Sequence, residues 1–269
     1  MSSDGAAPVG SVATARPILE VEAVSKSFGG LKAVSDCSLV VHEGSVTGLI
    51  GPNGAGKSTL LSMISGFLPT DAGKIRFRGE EIQSLPPHRR SRIGLVRSFQ
   101  AARVWAGLTV LENVLVSVTP IADESFFRTF FNWRSIRGGQ KNARARAREV
   151  LAEFGLEHMR NELAGTLSGG QKRLLEFARI ASMEPTLVLL DEPQAGVNPV
   201  LGDRMADAVE KMNSKGITVL IVEHNLPFVE RLCARVNVMQ LGTTIAAGSM
   251  AEMRQHPEVI DAYLGDVDV

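Results

Sequence analysis

The sequence contains few cysteines, few aromatic residues and no long apolar segment. Its two cysteines, Cys37 and Cys233, cannot build a disulfide framework, which excludes the disulfide-rich secreted class and suits a reducing compartment. No apolar run approaches the length of about 18 residues that a membrane-spanning helix needs. We therefore expect a soluble chain whose role at any membrane would depend on partners.

An excess of charge of either sign is also missing. Lysine plus arginine and aspartate plus glutamate both number 29, so net charge gives no reason to expect a nucleic-acid partner. Positions 1–16 lack the basic start and apolar block of a signal peptide, and they are rich in Ser, Ala and Gly, which predicts a flexible tail. The remaining residues are numerous enough to bury a sizeable core.

The strongest signal is the glycine-rich run at positions 51–59, which reads GPNGAGKST. It follows an apolar run at 46–50 that is typical of a buried strand, and it opens an amphipathic run from Ser58 to Gly66. A strand, a glycine-rich turn and a helix are the context of the P-loop, whose backbone N–H groups surround phosphate at a helix N-terminus. We predict that nucleotide is bound by Asn53, Gly54, Ala55, Gly56, Lys57, Ser58 and Thr59.

Two of these side chains have specific expected roles. Lys57 would reach the β- and γ-phosphates, and the Ser58 hydroxyl would contact Mg²⁺. The alternative interpretation is a glycine-rich turn that fits the pattern by chance.

A second run at 187–190 is apolar and ends in two acids, Asp191 and Glu192. Ligands of parallel α/β sheets bind at the carboxyl ends of the strands, and in P-loop proteins an aspartate there holds Mg²⁺. A neighbouring glutamate can accept a proton from the water that attacks the γ-phosphate. We predict these two roles for Asp191 and Glu192; otherwise the two acids simply begin a loop before Pro193.

The run Leu167-Ser168-Gly169-Gly170-Gln171 leads directly into a predicted helix. Two glycines and a hydroxyl at a helix start favour a second anion site by the same physics. One nucleotide needs only one P-loop, so a second such site suggests that two chains share nucleotides. The alternative is an N-cap serine followed by a turn.

Strands are predicted from short apolar runs at residues 18–24, 38–41, 46–50, 186–190, 218–222 and 236–240, with Phe28 on a turn-rich loop after the first of them. Helical patterns lie between most of them, which predicts an α/β fold with a mainly parallel sheet. From Thr109 to Ala164 the apolar spacing is helical, so we expect a helical insert. Within it, residues 128–148 contain seven Lys or Arg and no acid, which indicates a solvated helix face with a linker, or else contact with a partner or lipid headgroups.

The order of the P-loop, the Leu-Ser-Gly-Gly-Gln run and the Asp-Glu pair resembles the ABC-type ATPases over about residues 18–264. The resemblance implies a P-loop NTPase core with a mainly parallel sheet, an antiparallel β subdomain and a helical insert. It also implies that Phe28 stacks on adenine with Ala33 beside it. Gln100 would contact Mg²⁺ and the attacking water, and His224 would contact the γ-phosphate.

The resemblance thus completes three sets of site residues. The catalytic residues would be Glu192, His224 and Gln100. Mg²⁺ would be held by Ser58, Gln100 and Asp191. The P-loop of one chain and residues Ser168, Gly169, Gly170 and Gln171 of another would enclose ATP. The implied divisions are a tail at 1–16, an ATP-binding core at 17–100 and 166–250, a helical subdomain at 101–165 and a C-terminal extension at 251–269.

A narrower likeness is to the ATPases of branched-chain amino acid importers. Residues 195–199 read AGVNP, with Asn198 where most ABC ATPases carry aspartate, and this run is similar to the importer subunits. So are residues 96–100, the long segment 116–144 and residues 259–265. The likeness implies a peripheral protein at the cytoplasmic face of the membrane. Its partners would be transmembrane permease subunits, a second ATP-binding subunit in a heterodimer or homodimer, and, indirectly, a solute-binding protein.

Two other functions are compatible with parts of this pattern. An ABC ATPase could act outside transport, although such proteins commonly fuse two ATPase units or carry a long coiled coil, and neither pattern occurs here. A regulatory module could bind ATP without hydrolysing it, but such proteins often lose the acid that Glu192 provides. We expect an ATPase that drives import.

Overall fold

Two β-sheets form the centre of the protein. The structure is a computed structural model that describes residues 16–98, 104–118 and 133–264. The strands are β1 Pro17–Phe28, β2 Leu31–His42, β3 Val46–Ile50, β4 Ala72–Phe77, β5 Glu80–Glu81, β6 Leu95–Arg97, β7 Leu187–Asp191, β8 Thr218–Val222, β9 Arg235–Gln240 and β10 Thr243–Gly248. The larger sheet has the order β10-β9-β3-β8-β7-β6, and the smaller one the order β2-β1-β4-β5.

The larger sheet is parallel from β9 to β6, and only the edge strand β10 runs antiparallel to its neighbour. The smaller sheet is antiparallel throughout. Both features confirm the predicted fold class of a mainly parallel P-loop core with an antiparallel β subdomain. The parallel arrangement brings the carboxyl ends of β3, β7 and β8 to one edge of the sheet.

The described helices are α1 Lys57–Ser65, α2 Pro87–Arg92, α3 Val110–Val118, α4 Trp133–Glu153, α5 Gly169–Ser182, α6 Pro199–Ser214, α7 Leu226–Leu232, α8 Met250–Met253 and α9 Pro257–Leu264. Within the described residues, no helix is long and apolar enough to cross a lipid bilayer. Helices α3 and α4 fall in the predicted insert and pack against α5. The insert is therefore helical where it is described, while the domain boundaries proposed above stay predictions.

The two faces of the parallel sheet belong to two hydrophobic cores. In β7, Leu187 and Leu189 face the core shared with α1 and the antiparallel sheet, whereas Val188 and Leu190 face the core shared with the other helices. All five residues of β7 are buried, as are those of β3 and β8. Strands buried on both faces consist almost entirely of apolar residues, which explains why these three were recognisable in the sequence.

Several predicted boundaries were wrong, chiefly in the antiparallel sheet. The prediction for β1 ended at Val24 and placed Phe28 on a loop, but the strand continues to Phe28. The prediction for β2 began only at Ser38, although the strand begins at Leu31. Register shifts interrupt the pairing of β1 with β2, so the alternation of apolar and polar residues is broken within each strand.

Candidate nucleotide-binding and catalytic site

The glycine-rich loop lies between β3 and α1, as its sequence context predicted. Gly51 has a φ angle of 147°, and a Cβ atom there would lie 2.1 Å from the carbonyl oxygen of Met239. Gly56 has a φ angle of 95°, and its Cβ would lie 2.3 Å from the carbonyl oxygen of Ala33. Only glycine tolerates such close backbone contact together with positive φ. Neighbouring strands therefore fix the path of this loop.

A cleft of about 380 Å³ opens over the loop. It is lined by the predicted nucleotide-binding residues Ala33, Asn53, Gly54, Ala55, Gly56, Lys57, Ser58 and Thr59, and by Glu192. Leu31, Lys32, Leu241 and Gly242 also line it, and no sequence pattern had singled them out. A larger cleft of about 540 Å³ beside α4 has no phosphate-binding loop, and charged residues in its wall pair with each other.

Lys57 is buried beneath the loop. Its Nζ donates hydrogen bonds to the carbonyl oxygens of Gly51 at 2.7 Å and Pro52 at 2.8 Å. Burial lowers the pKa of Lys57, while the negative charges of Glu192 and Asp191 act in the opposite direction. A buried ammonium group beneath a glycine-rich loop at a helix N-terminus is suited to bind phosphate.

Asp191, at the end of β7, is only 2% exposed in its side chain. Its Oδ2 accepts a hydrogen bond from Arg97 at 2.8 Å, whereas its Oδ1 is buried without a hydrogen-bond partner. An unpartnered carboxylate oxygen at the strand end that faces the glycine-rich loop fits Mg²⁺, which prefers oxygen ligands. Across the described residues there is no cluster of three or more acidic, His or Cys side chains that could hold a metal ion.

Glu192 follows Asp191 with a φ angle of 44°, a conformation that is strained for a residue with a side chain. Its N–H donates to the Val222 carbonyl at 2.9 Å, which fixes it against the end of β8. Its carboxylate lies 3.9 Å from Nδ1 of His224, and both side chains remain partly open to solvent. The structure thus brings the predicted base and the predicted γ-phosphate contact next to each other.

Glu223, the neighbour of His224 in the chain, is fully buried and was not selected from the sequence. Its carboxylate accepts backbone N–H groups from Gln194 at 3.0 Å, His224 at 3.0 Å and Asn225 at 3.3 Å. These bonds join the loop that follows Glu192 to the loop that carries His224. Glu223 therefore holds the loop after Glu192 and the loop of His224 together; its position beside His224 was the only available signal.

Ser168 is the N-cap of α5 and forms a capping box with Gln171. The Ser168 side chain accepts from the N–H of Gln171 at 3.3 Å, and the Gln171 side chain accepts from the N–H of Ser168 at 2.9 Å. Gly170 packs so closely that a Cβ would lie 1.6 Å from Leu201, whereas Gly169 has open space around it. None of Ser168, Gly169, Gly170 and Gln171 lines the cleft of its own chain.

Two further predictions are not resolved by this geometry. Phe28 is 49% exposed at the end of β1, with the Lys26 ammonium 5.8 Å from its ring centroid, but it does not line the cleft. Its stacking on adenine stays a prediction. Gln100, expected to contact Mg²⁺ and the attacking water, lies outside the described residues.

Comparison with known proteins places these features in a family. Residues 34–195 match the family model described as ABC transporter, and residues 243–269 match the model described as branched-chain amino acid ATP-binding cassette transporter. The high-affinity branched-chain amino acid transport ATP-binding protein BraF of Pseudomonas aeruginosa is 40% identical over 93% of this chain and 99% of its own. The probable LivG protein of Archaeoglobus fulgidus, named as a branched-chain amino acid transport ATP-binding protein, is 38% identical over 93% and 96%.

Solved structures agree with these matches. The ADP conformation of MJ1267, an ATP-binding cassette of an ABC transporter, has a TM-score of 0.78 and 35% identity, covering 93% of this chain and 99% of that one. A nucleotide-free ATP-binding cassette from an ABC transporter has a TM-score of 0.77 and 36% identity, covering 92% and 99%.

Proposed function

This chain belongs to the ABC transporter ATP-binding family, and from that premise we propose that it is the ATP-hydrolysing subunit of an importer for branched-chain or related amino acids. The observation that carries the proposal is the meeting of Lys57, Asp191 and Glu192 at one edge of the parallel sheet. Lys57 and Glu192 line the same cleft, and the charges of Asp191 and Glu192 both act on Lys57. A phosphate-binding cation, a metal-binding acid and a general base are the groups that ATP hydrolysis requires.

Each residue has a defined task in this proposal. The P-loop N–H groups and Lys57 bind the phosphates, and Glu192 accepts the proton of the attacking water at its carboxylate. His224, which lies beside Glu192, contacts the γ-phosphate. Mg²⁺, held by Ser58 and Asp191, would neutralise the charge of the phosphate oxygens. Gln100 belongs to the same set by family resemblance.

The placement of Ser168 to Gln171 outside their own cleft supports a head-to-tail pair of ATP-binding subunits. Each subunit would then provide the P-loop for one nucleotide and residues 168–171 for the other. ATP would close the pair and hydrolysis would let it open, moving permease subunits in the membrane. The protein would act at the cytoplasmic face of the membrane as a peripheral subunit, and a solute-binding protein would deliver the amino acid.

Uptake measurements in the source organism test this function. Deleting the gene should abolish high-affinity uptake of radiolabelled leucine, isoleucine and valine, and the wild-type gene should restore it. The Glu192→Gln gene, expressed equally, should not restore it. Normal uptake of these amino acids after deletion would contradict the proposed substrate class, and full rescue by Glu192→Gln would contradict the need for hydrolysis.

A further inference from the structure

Arg97 is the last residue of β6 and is nearly buried, with 12% of its side chain exposed. Its guanidinium group lies between β7 and α1, the two elements that carry Asp191 and Ser58. One nitrogen, Nη2, donates to Oδ2 of Asp191 at 2.8 Å. A buried arginine bound to a carboxylate forms a strong charge-assisted contact of fixed direction.

The other end of the same guanidinium contacts α1. Nη1 of Arg97 donates to the hydroxyls of Ser62 at 3.0 Å and Ser65 at 3.1 Å. The Ser62 hydroxyl in turn donates to the carbonyl oxygen of Ser58 at 2.7 Å. Arg97 is therefore connected directly to Asp191 and, through one serine, to the backbone of Ser58.

These contacts leave one oxygen of Asp191 available. Because Arg97 holds Oδ2, the carboxylate cannot rotate freely, and Oδ1 remains buried without a partner. Groups that hydrogen-bond to a metal ligand fix the orientation of that ligand, and their loss typically weakens metal binding by about 10–100-fold.

A second buried arginine shows what a purely structural contact looks like here. Arg90 also contacts α1, but its partners are the backbone carbonyls of Met63 and Ile64 at 2.7 Å, together with those of Leu85 and Gln83. Burial lowers its pKa to about 10. Arg90 closes the end of the helix, whereas Arg97 contacts a carboxylate at the phosphate-binding edge.

We propose that Arg97 is a positioning residue for the metal site, which orients Asp191 and ties it to the helix start that carries Ser58. The proposal rests on the proposed ATPase function and assigns a new role within it. Arg97 does not contact the nucleotide in this arrangement. Its effect should consequently appear in Mg²⁺ binding and be absent from metal-free nucleotide binding.

The test compares the full-length wild-type chain with Arg97→Met, which removes the charge but keeps much of the side-chain volume. Mg²⁺ is titrated calorimetrically into chain saturated with ADP, and ADP affinity is measured separately in EDTA. Arg97→Met should weaken Mg²⁺ binding by about 10–100-fold and leave ADP affinity in EDTA unchanged. Arg97→Lys keeps a point charge but loses the planar guanidinium group, so its Mg²⁺ affinity should lie between those of the wild type and Arg97→Met.

The matched control is Arg76→Met, which removes the ion pair of Arg76 with Glu22 in the antiparallel sheet and should leave both measurements unchanged. If Arg97→Met does not fold, Ser62→Ala combined with Ser65→Ala releases the other end of the guanidinium and should weaken Mg²⁺ binding to a lesser degree. Unchanged Mg²⁺ affinity, tighter Mg²⁺ binding, or an equal loss in EDTA would overturn the proposal. Failure of the wild-type chain to bind ADP under either condition would instead contradict the proposed function.

Discussion

Glu192 combines a strained backbone with a carboxylate at the edge of the phosphate cleft. Its positive φ angle is maintained by a hydrogen bond to the end of β8 and by the turn that follows, whose Ala195 N–H donates to the Glu192 carbonyl at 3.0 Å. Strain of this kind persists only where the surrounding structure fixes it, and it is concentrated at functional sites. The side chain in this conformation lines the cleft over the glycine-rich loop.

The change Glu192→Gln should abolish ATP hydrolysis while ATP binding persists. Glutamine keeps the shape of the side chain but cannot accept the proton of the attacking water, and Lys57 and the P-loop are unaltered. Phosphate release by the assembled transporter and ATP affinity by calorimetry are the two measurements. Turnover near the wild-type rate would show that another group is the base.

The change Lys57→Ala should weaken ATP binding strongly, because a buried charge-assisted contact with phosphate is lost. Lys74→Ala is the matched control, since Lys74 is an exposed lysine paired with Glu81 in the antiparallel sheet. Calorimetry should show reduced affinity for the first variant and wild-type affinity for the second. Equal affinity in both variants would mean that Lys57 does not contact the nucleotide.

The sequence could predict residues whose role is encoded in a local pattern, and it could not predict partners from distant segments. The P-loop and the Asp191-Glu192 pair are contiguous with recognisable strands. By contrast, the contacts of Arg97 with Asp191 and of Glu223 with Gln194 join residues 94 and 29 positions apart. Such contacts depend on strand order, which apolar periodicity does not specify.

Among the secondary-structure elements, the difference between local sequence patterns and contacts of distant segments also separates the two sheets. The buried strands β3, β7 and β8 are short apolar runs, so their positions were predicted within about one residue. Strands β1 and β2 each have 12 residues, and their polar positions look like turns in the sequence. Register shifts between the two strands also break the alternation of apolar and polar residues that would identify a strand. Their extent is determined by pairing between strands, and it becomes visible only in the folded chain.

Helix α9 provides a spectroscopic test of how the C-terminal segment docks. It carries Tyr263, the only tyrosine of the chain, whose hydroxyl is buried and whose ring packs against the larger core. Burial raises the pKa of Tyr263 to about 12 from its usual value of about 10, although the backbone of Gly51 favours the ionised form. Tyrosinate absorbance should therefore appear near pH 12 in the folded chain and near pH 10 in urea.

The sign of the linked stability change follows from this shift. The folded state holds the Tyr263 proton more tightly than the unfolded state, so its contribution to stability is complete below about pH 10 and is lost as pH rises through about 12. Val259→Ala, which removes a buried contact of the same helix, should move the absorbance transition toward pH 10. Identical transitions in buffer and in urea would mean that α9 does not dock as described.

In the assembled protein, each nucleotide site should be completed by a second ATP-binding subunit. The cleft over the P-loop is lined by Lys57, Ser58 and Glu192 of one chain, while Ser168 to Gln171 lie elsewhere on the same chain. The capping box of α5 explains why Ser168 and Gln171 occur together, but it leaves the open space at Gly169 unexplained. A partner's nucleotide bound at this helix start would account for the open space at Gly169 as well as for the exposed Ser168.

The change Ser168→Arg should leave ATP binding to the isolated subunit intact and prevent ATP-driven closure of the pair. Ser168 is exposed and does not line its own cleft, so an arginine there affects only what approaches from outside. Loss of the N-cap itself should cost about 0.5–2 kcal/mol of stability. Ser168→Ala loses the same cap without added bulk, so it is the matched control and should still close.

Closure is best measured by light scattering with ATP in a Glu192→Gln background, where hydrolysis cannot reopen the pair. If this chain forms homodimers, mixing Ser168→Arg with Lys57→Ala gives a sharper test of the head-to-tail arrangement. One of the two composite sites would then have an intact P-loop facing an intact Ser168, and the other would carry both defects. Mixed pairs should consequently bind one ATP. Should Ser168→Arg abolish ATP binding in the isolated subunit and spare closure, residues 168–171 would act within their own chain, and the head-to-tail arrangement would be wrong.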